Sequence, residues 1–130
     1  MAKSGTNKDE ESNDLRIKQQ LETVKLNIKN LTSQNKSIHI NIIKLDGKIT
    51  YSEKYIPQYM QCDKRETKTD MYLCERMRYS HNKTLIRCRN QKEELVQQSE
   101  SLTSQIHKLE KTRTSLKQRL KKLQNKWSKS

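Results

Sequence analysis

The chain has 130 residues, of which 30% are hydrophobic and 33% charged, with two glycines, one proline, no phenylalanine and a net charge of +13. Globular chains average nearer ~45–50% apolar, so a compact core of ordinary size is excluded and the apolar residues must be placed along a line. The charge predicts attraction to polyanions, among them nucleic acid, anionic lipid and acidic protein surfaces, while the uncharged apolar stretches are far short of the ~20 residues that span a bilayer.

Residues 1–13 hold Lys, Asn, Asp, Glu, Ser and Gly with almost nothing apolar. Ordering them would cost entropy that no burial offsets, so a disordered tail is expected. The same stretch lacks the apolar core of a signal peptide, which points to a cytoplasmic protein, with the nucleus as the alternative. Asn30-Leu-Thr, Asn35-Lys-Ser and Asn82-Lys-Thr match the glycosylation sequon, a match that carries little weight without a secretion signal.

From Ile17 the pattern changes. Ile17, Leu21, Val24, Ile28, Leu31, Asn35, Ile38, Ile42, Leu45 and Ile49 advance by alternating steps of four and three, and all but Asn35 are apolar. A 3.5-residue repeat keeps one seam facing a partner helix, so a coiled-coil helix is expected over 14–49. Ile38-His-Ile-Asn-Ile alternates with period two, yet the heptad runs unbroken on both sides of it, which favours helix over strand. Asn35, polar at an a position, favours a two-stranded parallel arrangement in which it pairs with its equivalent across the seam.

A connector is expected over 50–69. Asp46-Gly47 can end a helix, Thr50-x-x-Glu53 can start one as a capping box, and Pro57 cannot continue one. Tyr51, Tyr55 and Tyr59, four apart, either pack the connector against a helix or form a partner contact. Cys62 is the thiol best placed for exposure, and Asp63-x-x-Glu66 and Thr69-Asp70 are candidate caps for the next helix.

A second coiled-coil helix is expected over 70–127. Leu95, Leu102, Leu109, Leu116 and Leu123 recur every seven residues as d positions. The a positions are Lys92, Ser99, Ile106, Arg113, Leu120 and Trp127, a half-polar seam suited to pairing with a different helix. Trp127 is either the last seam residue or a partner anchor. Cys74, His81 and Cys88 follow the same line, but seven residues span about 10.5 Å of helix and zinc ligands lie ~2.0–2.3 Å from the metal, so the three cannot share an ion. Three cysteines at these spacings suit free thiols in a reducing compartment.

The two stripes are out of phase, so no straight helix presents both to one partner, and a break between them is required. The fold class expected is all-α: an elongated coiled coil of two long helices separated by a short connector, either an antiparallel hairpin or a parallel dimer. In a hairpin turning near residue 60, the first helix would cover the second only to about residue 106.

Beyond that point Lys111, Arg113, Lys117, Arg119, Lys121, Lys122, Lys126 and Lys129 follow one another with no acidic residue after Glu110. A helix dipole explains two or three basic residues at a C-terminus, not eight; an anionic partner would relieve their mutual repulsion. A basic leucine-zipper DNA reader is excluded, because from Asn82 its spacing requires Arg where Asn90 stands, and from Arg89 it requires Leu where Ser99 stands. No glycine-rich phosphate loop occurs, and His39, His81 and His107 have no nucleophile and carboxylate company. The chain therefore reads as a non-enzymatic structural or adaptor subunit without cofactor. Its expected partners are other coiled-coil helices, in a homo- or hetero-oligomer, and an acidic surface such as a cytoskeletal filament; sequence-nonspecific nucleic-acid binding is the alternative.

Overall fold

The computed structural model describes residues 2–128, with side chains described for residues 12–126. The expected tail over 1–13 therefore lies almost wholly outside the described side chains, as does Trp127, and Lys129 lies outside the described residues altogether. Two long helices make up the chain, α1 (Ala2–Tyr55) and α2 (Lys68–Ser128), joined through two 3-10 turns, Ile56–Tyr59 and Cys62–Lys64. They pack against each other as an all-α antiparallel hairpin, with no strand among the described residues.

The break falls later than the glycine suggested. α1 runs through Gly47 and through Thr50-x-x-Glu53 without interruption, and among the described residues no glycine has a positive φ. An interior Gly costs only about 1 kcal/mol relative to Ala, less than the seam contacts on either side of it are worth. Pro57 is decisive instead: it has no N–H for the helical ladder, and its ring crowds the carbonyl one turn back. The chain tightens into the 3-10 turn Ile56–Tyr59, with Pro in its first two positions. α2 then opens with a cap the sequence pattern had not singled out. Thr67 Oγ1 accepts a hydrogen bond from the Asp70 amide at 3.0 Å, and Asp70 places an acidic group in the first turn.

The chain divides into two compact units, Met1–Asn35 with Ser101–Ser130, and Lys36–Glu100. In the first, Leu21, Val24 and Leu116 form a buried cluster against which Ile17, Ile28, Leu109 and Leu120 pack. Each fully buried side chain of this kind contributes roughly 1.5–3 kcal/mol. The basic C-terminal stretch thus does not project alone past residue 106: Leu116 and Leu120 lie against the first turns of the α1 seam. Asn35 Nδ2 donates to Thr103 Oγ1 at 3.4 Å. Its partner across the seam is α2 of the same chain, not a second Asn35.

The second unit explains why a turn near residue 60 misjudged the coverage. The connector does not reverse tightly; it runs back along the opening turns of α2, with Cys62 bonded to Cys74 and the Tyr59 ring stacked on His81. α1 accordingly meets α2 far from its start, His39 beside Ser99 at 3.3 Å and, one heptad on, Asp46 paired with Lys92 at 2.7 Å. The half-polar α2 seam is completed by polar groups of α1. Leu45, Leu85 and Cys88 are buried in the same unit.

The thiol expectation is corrected for two of the three cysteines. Cys62 and Cys74, 5.4 Å apart at Cα and nearly inaccessible to solvent, form a disulfide. Cys88 is free and buried in the seam, 1% exposed. Spacing in sequence does not show which helix face the connector brings to Cys74, and that path alone decides the pairing.

Candidate functional site

The feature with most functional content is the distribution of charge. Residues 12–35 and 101–126, the described side chains of the first unit, hold twelve Lys or Arg against three Asp or Glu, an excess of nine. All three acidic groups are engaged on their own helices: Asp14 with Lys18 at 3.1 Å, Glu22 with Lys25 at 3.8 Å, and Glu110 beside the His107 ring at 3.7 Å. The second unit is more balanced, with thirteen basic residues against nine acidic. Two pairs of these are joined across the seam, Arg89 with Glu53 and Lys92 with Asp46.

The basic residues singled out on α2 occupy defined places. Lys111, Lys117, Arg119, Lys121, Lys122 and Lys126 are exposed, while Arg113, an a position, is half-buried at the seam. Among the described residues, Lys111, Lys117, Arg119, Lys121 and Lys122 make no ion pair. The array is larger than the α2 sequence indicates, because α1 brings Arg16, Lys18, Lys25 and Lys29 to the same unit. These four were not singled out. They are scattered over the outer face of a strongly apolar repeat, and only the antiparallel register sets them beside the α2 series. Between the helices lies an open groove of about 490 Å³ lined by Arg16, Gln19, Gln20, Thr23, Val24, Thr112, Leu116 and Arg119.

The residues of the expected seam differ in burial. On α1, Leu21, Val24 and Leu45 are buried and Ile17, Ile28, Leu31, Asn35, Ile38, Ile42 and Ile49 half-buried; on α2, Leu116 is buried and Leu95, Leu102, Ile106, Leu109, Leu120 and Leu123 half-buried. Their shared partner is the other helix of the same chain.

The tyrosines surround a histidine. The His81 ring centroid lies 5.7 Å from that of Tyr59, 6.1 Å from Tyr51 and 6.5 Å from Tyr55. Its Nδ1 is 3.4 Å from the buried Ser52 hydroxyl. This cluster packs the end of α1 and Tyr59 of the first 3-10 turn onto α2, although Tyr51 remains 59% exposed. Ile40, Ile43, Tyr72, Tyr79 and Ile86 of this unit are exposed as well.

Among the described residues, no group of three or more His, Cys, Asp or Glu could hold a metal ion, and no helix is long and apolar enough to cross a membrane. Comparison with protein-family models, with curated proteins and with solved structures returns no match.

Proposed function

We propose that the chain is a non-enzymatic coiled-coil adaptor whose basic helix pair docks on an acidic protein surface. The carrying observation is the excess of nine positive charges among residues 12–35 and 101–126, one short helical unit whose three acidic side chains there are already engaged on their own helices. Such a concentration is self-repelling, and an anionic partner removes the repulsion while gaining attraction. Cytoskeletal filaments fit as partners because their surfaces are acidic. The exposed apolar side chains of the second unit, Ile40, Ile43 and Tyr51 on α1 with Tyr72, Tyr79 and Ile86 on α2, support the further role of joining other helices in a larger assembly.

Nucleic-acid binding is the second reading, favoured by the same charge. Against it stands the scarcity of aromatic residues in the first unit, whose sequence holds Trp127 but no Tyr or Phe, where a single-strand binder stacks successive bases on several rings. A cytoplasmic setting goes with an open Cys62–Cys74 pair and an oxidising compartment with the closed one; alkylation of the chain as isolated from cells distinguishes the two.

The test is binding of the purified chain to poly-glutamate and to a random-sequence DNA duplex between 50 and 200 mM salt. Poly-glutamate binding should weaken with salt and fall about three- to fivefold when Lys117, Lys121 and Lys122 become Gln. Retention of DNA alone with a steep salt slope moves the function to the second reading. Binding indifferent to these substitutions removes the electrostatic basis of both.

A further inference from the structure

Resting on the acidic-partner reading, we infer that the groove between α1 and α2 in the first unit is a carboxylate-binding subsite, with Arg16 and Arg119 as its two arms. It takes a Glu or Asp side chain of a partner segment that is acidic and partly apolar.

The antiparallel register creates this site. Arg119 and Thr112 stand at g positions of α2, facing the flank of α1 where Gln20 is g, and Arg16 reaches the same groove from one turn earlier. A guanidinium from each helix therefore lines one concavity. Both are exposed, and neither makes an ion pair among the described residues. The two threonines are turned inward: Thr23 Oγ1 donates to the Gln19 carbonyl at 3.1 Å and Thr112 Oγ1 to the Lys108 carbonyl at 3.1 Å. Their protons are spent on their own helices, so the donors left for a ligand are the guanidinium and Gln19 and Gln20 amide N–H groups. Guanidinium groups match a carboxylate bidentately, which a lysine cannot do.

The floor selects the ligand class. Val24 and Leu116 belong to the buried core cluster and also line the groove. An apolar floor under cationic walls receives the methylene stem of Glu, or an apolar neighbour in the partner's chain, along with the carboxylate. A phosphodiester backbone brings no apolar group to such a floor, and no Tyr, Trp or Phe lines the groove for a base to stack on. The remaining lysines give a diffuse attraction that falls off over a Debye length of about 8 Å at physiological salt. The groove adds a fixed point of attachment.

The experiment uses the full chain and three fluorescein-labelled probes: a twelve-residue peptide of alternating Glu and Leu, the same peptide with Gln for Glu, and a twelve-residue oligothymidylate. Two variants remove equal charge from the same unit. R16Q/R119Q empties the groove walls, and K121Q/K122Q lies outside the groove. Circular dichroism checks that both keep the wild-type helix content. The subsite predicts that R16Q/R119Q weakens binding of the acidic peptide roughly tenfold or more, as loss of charge-assisted hydrogen bonds implies, and K121Q/K122Q only about two- to threefold. Equal losses in the two variants overturn the subsite while leaving a diffuse basic surface intact. Wild-type binding of the oligothymidylate alone overturns the acidic-partner reading and the subsite with it.

Discussion

Replacing both members of the Cys62–Cys74 disulfide by alanine tests how the connector is held. The two cysteines are separated by 12 residues in sequence and their side chains are almost completely buried. Closing a loop of that length removes denatured-state entropy worth about 3 kcal/mol. For chains of this size each kcal/mol moves Tm by roughly 2–6 °C, so Cys62→Ala with Cys74→Ala lowers Tm by about 6–18 °C. The assay is thermal denaturation followed by circular dichroism, with native-state hydrogen exchange to locate the loss. Protection should fall first around the 3-10 turns and the opening turns of α2, where Tyr59 stacks on His81 and Arg65 donates to the Gln58 carbonyl at 2.7 Å. Wild-type chain treated with a reductant should melt with the double variant. A variant melting within about 1 °C of the oxidised wild type refutes the reasoning, because the connector would then be held without the cross-link.

Leu116→Ala removes the α2 member of the buried cluster in the first unit and should cost about 2–4 kcal/mol in denaturant unfolding; a loss under about 0.5 kcal/mol contradicts its placement in a packed seam. Gly47→Ala should raise stability by about 0.5–1 kcal/mol, since Gly47 lies inside α1 without a positive φ and an added Cβ meets nothing within 4 Å. Loss of stability in that variant shows instead that Gly47 ends a helix. Asn35→Leu should raise Tm modestly. It gives up hydrogen bonding that includes the contact to the exposed Thr103, each such bond worth ~0.5–1.5 kcal/mol, for added apolar burial at a half-buried seam position. Sedimentation should report the same mass for both forms, and a change in mass points to a seam formed between chains.

The regular part of the fold was legible because it depends only on local spacing. The ten-position stripe from Ile17 to Ile49 and the leucines from Leu95 to Leu123 mark the faces that α1 and α2 turn to each other. A break before the second stripe was equally legible, although Gly47 drew attention that belonged to Pro57. A glycine weakens a helix by an amount packing overrides, whereas proline removes a donor outright. What local spacing does not contain is register. The match of Lys92 to Asp46 and of Ser99 to His39 is evident only once α1 is set antiparallel to α2 at the right offset. That offset comes from the path of the connector, which depends on the Cys62–Cys74 pairing. Without it the polar α2 seam looked incomplete and the basic end looked uncovered. The α2 half of the cationic surface was plain in the run after Glu110; the α1 half, Arg16 included, came from packing.

The completed polar layers and the cationic groove both require α1 and α2 of one chain to pair antiparallel. A zero-length carbodiimide cross-link tests it directly, because Lys92 Nζ and Asp46 Oδ1 are 2.7 Å apart. Performed on an equal mixture of nitrogen-15-labelled and unlabelled chains and read by mass spectrometry, it should give a Lys92–Asp46 linked peptide with both halves labelled or both unlabelled. Linked peptides carrying one labelled and one unlabelled half would place the seam between chains and contradict the hairpin.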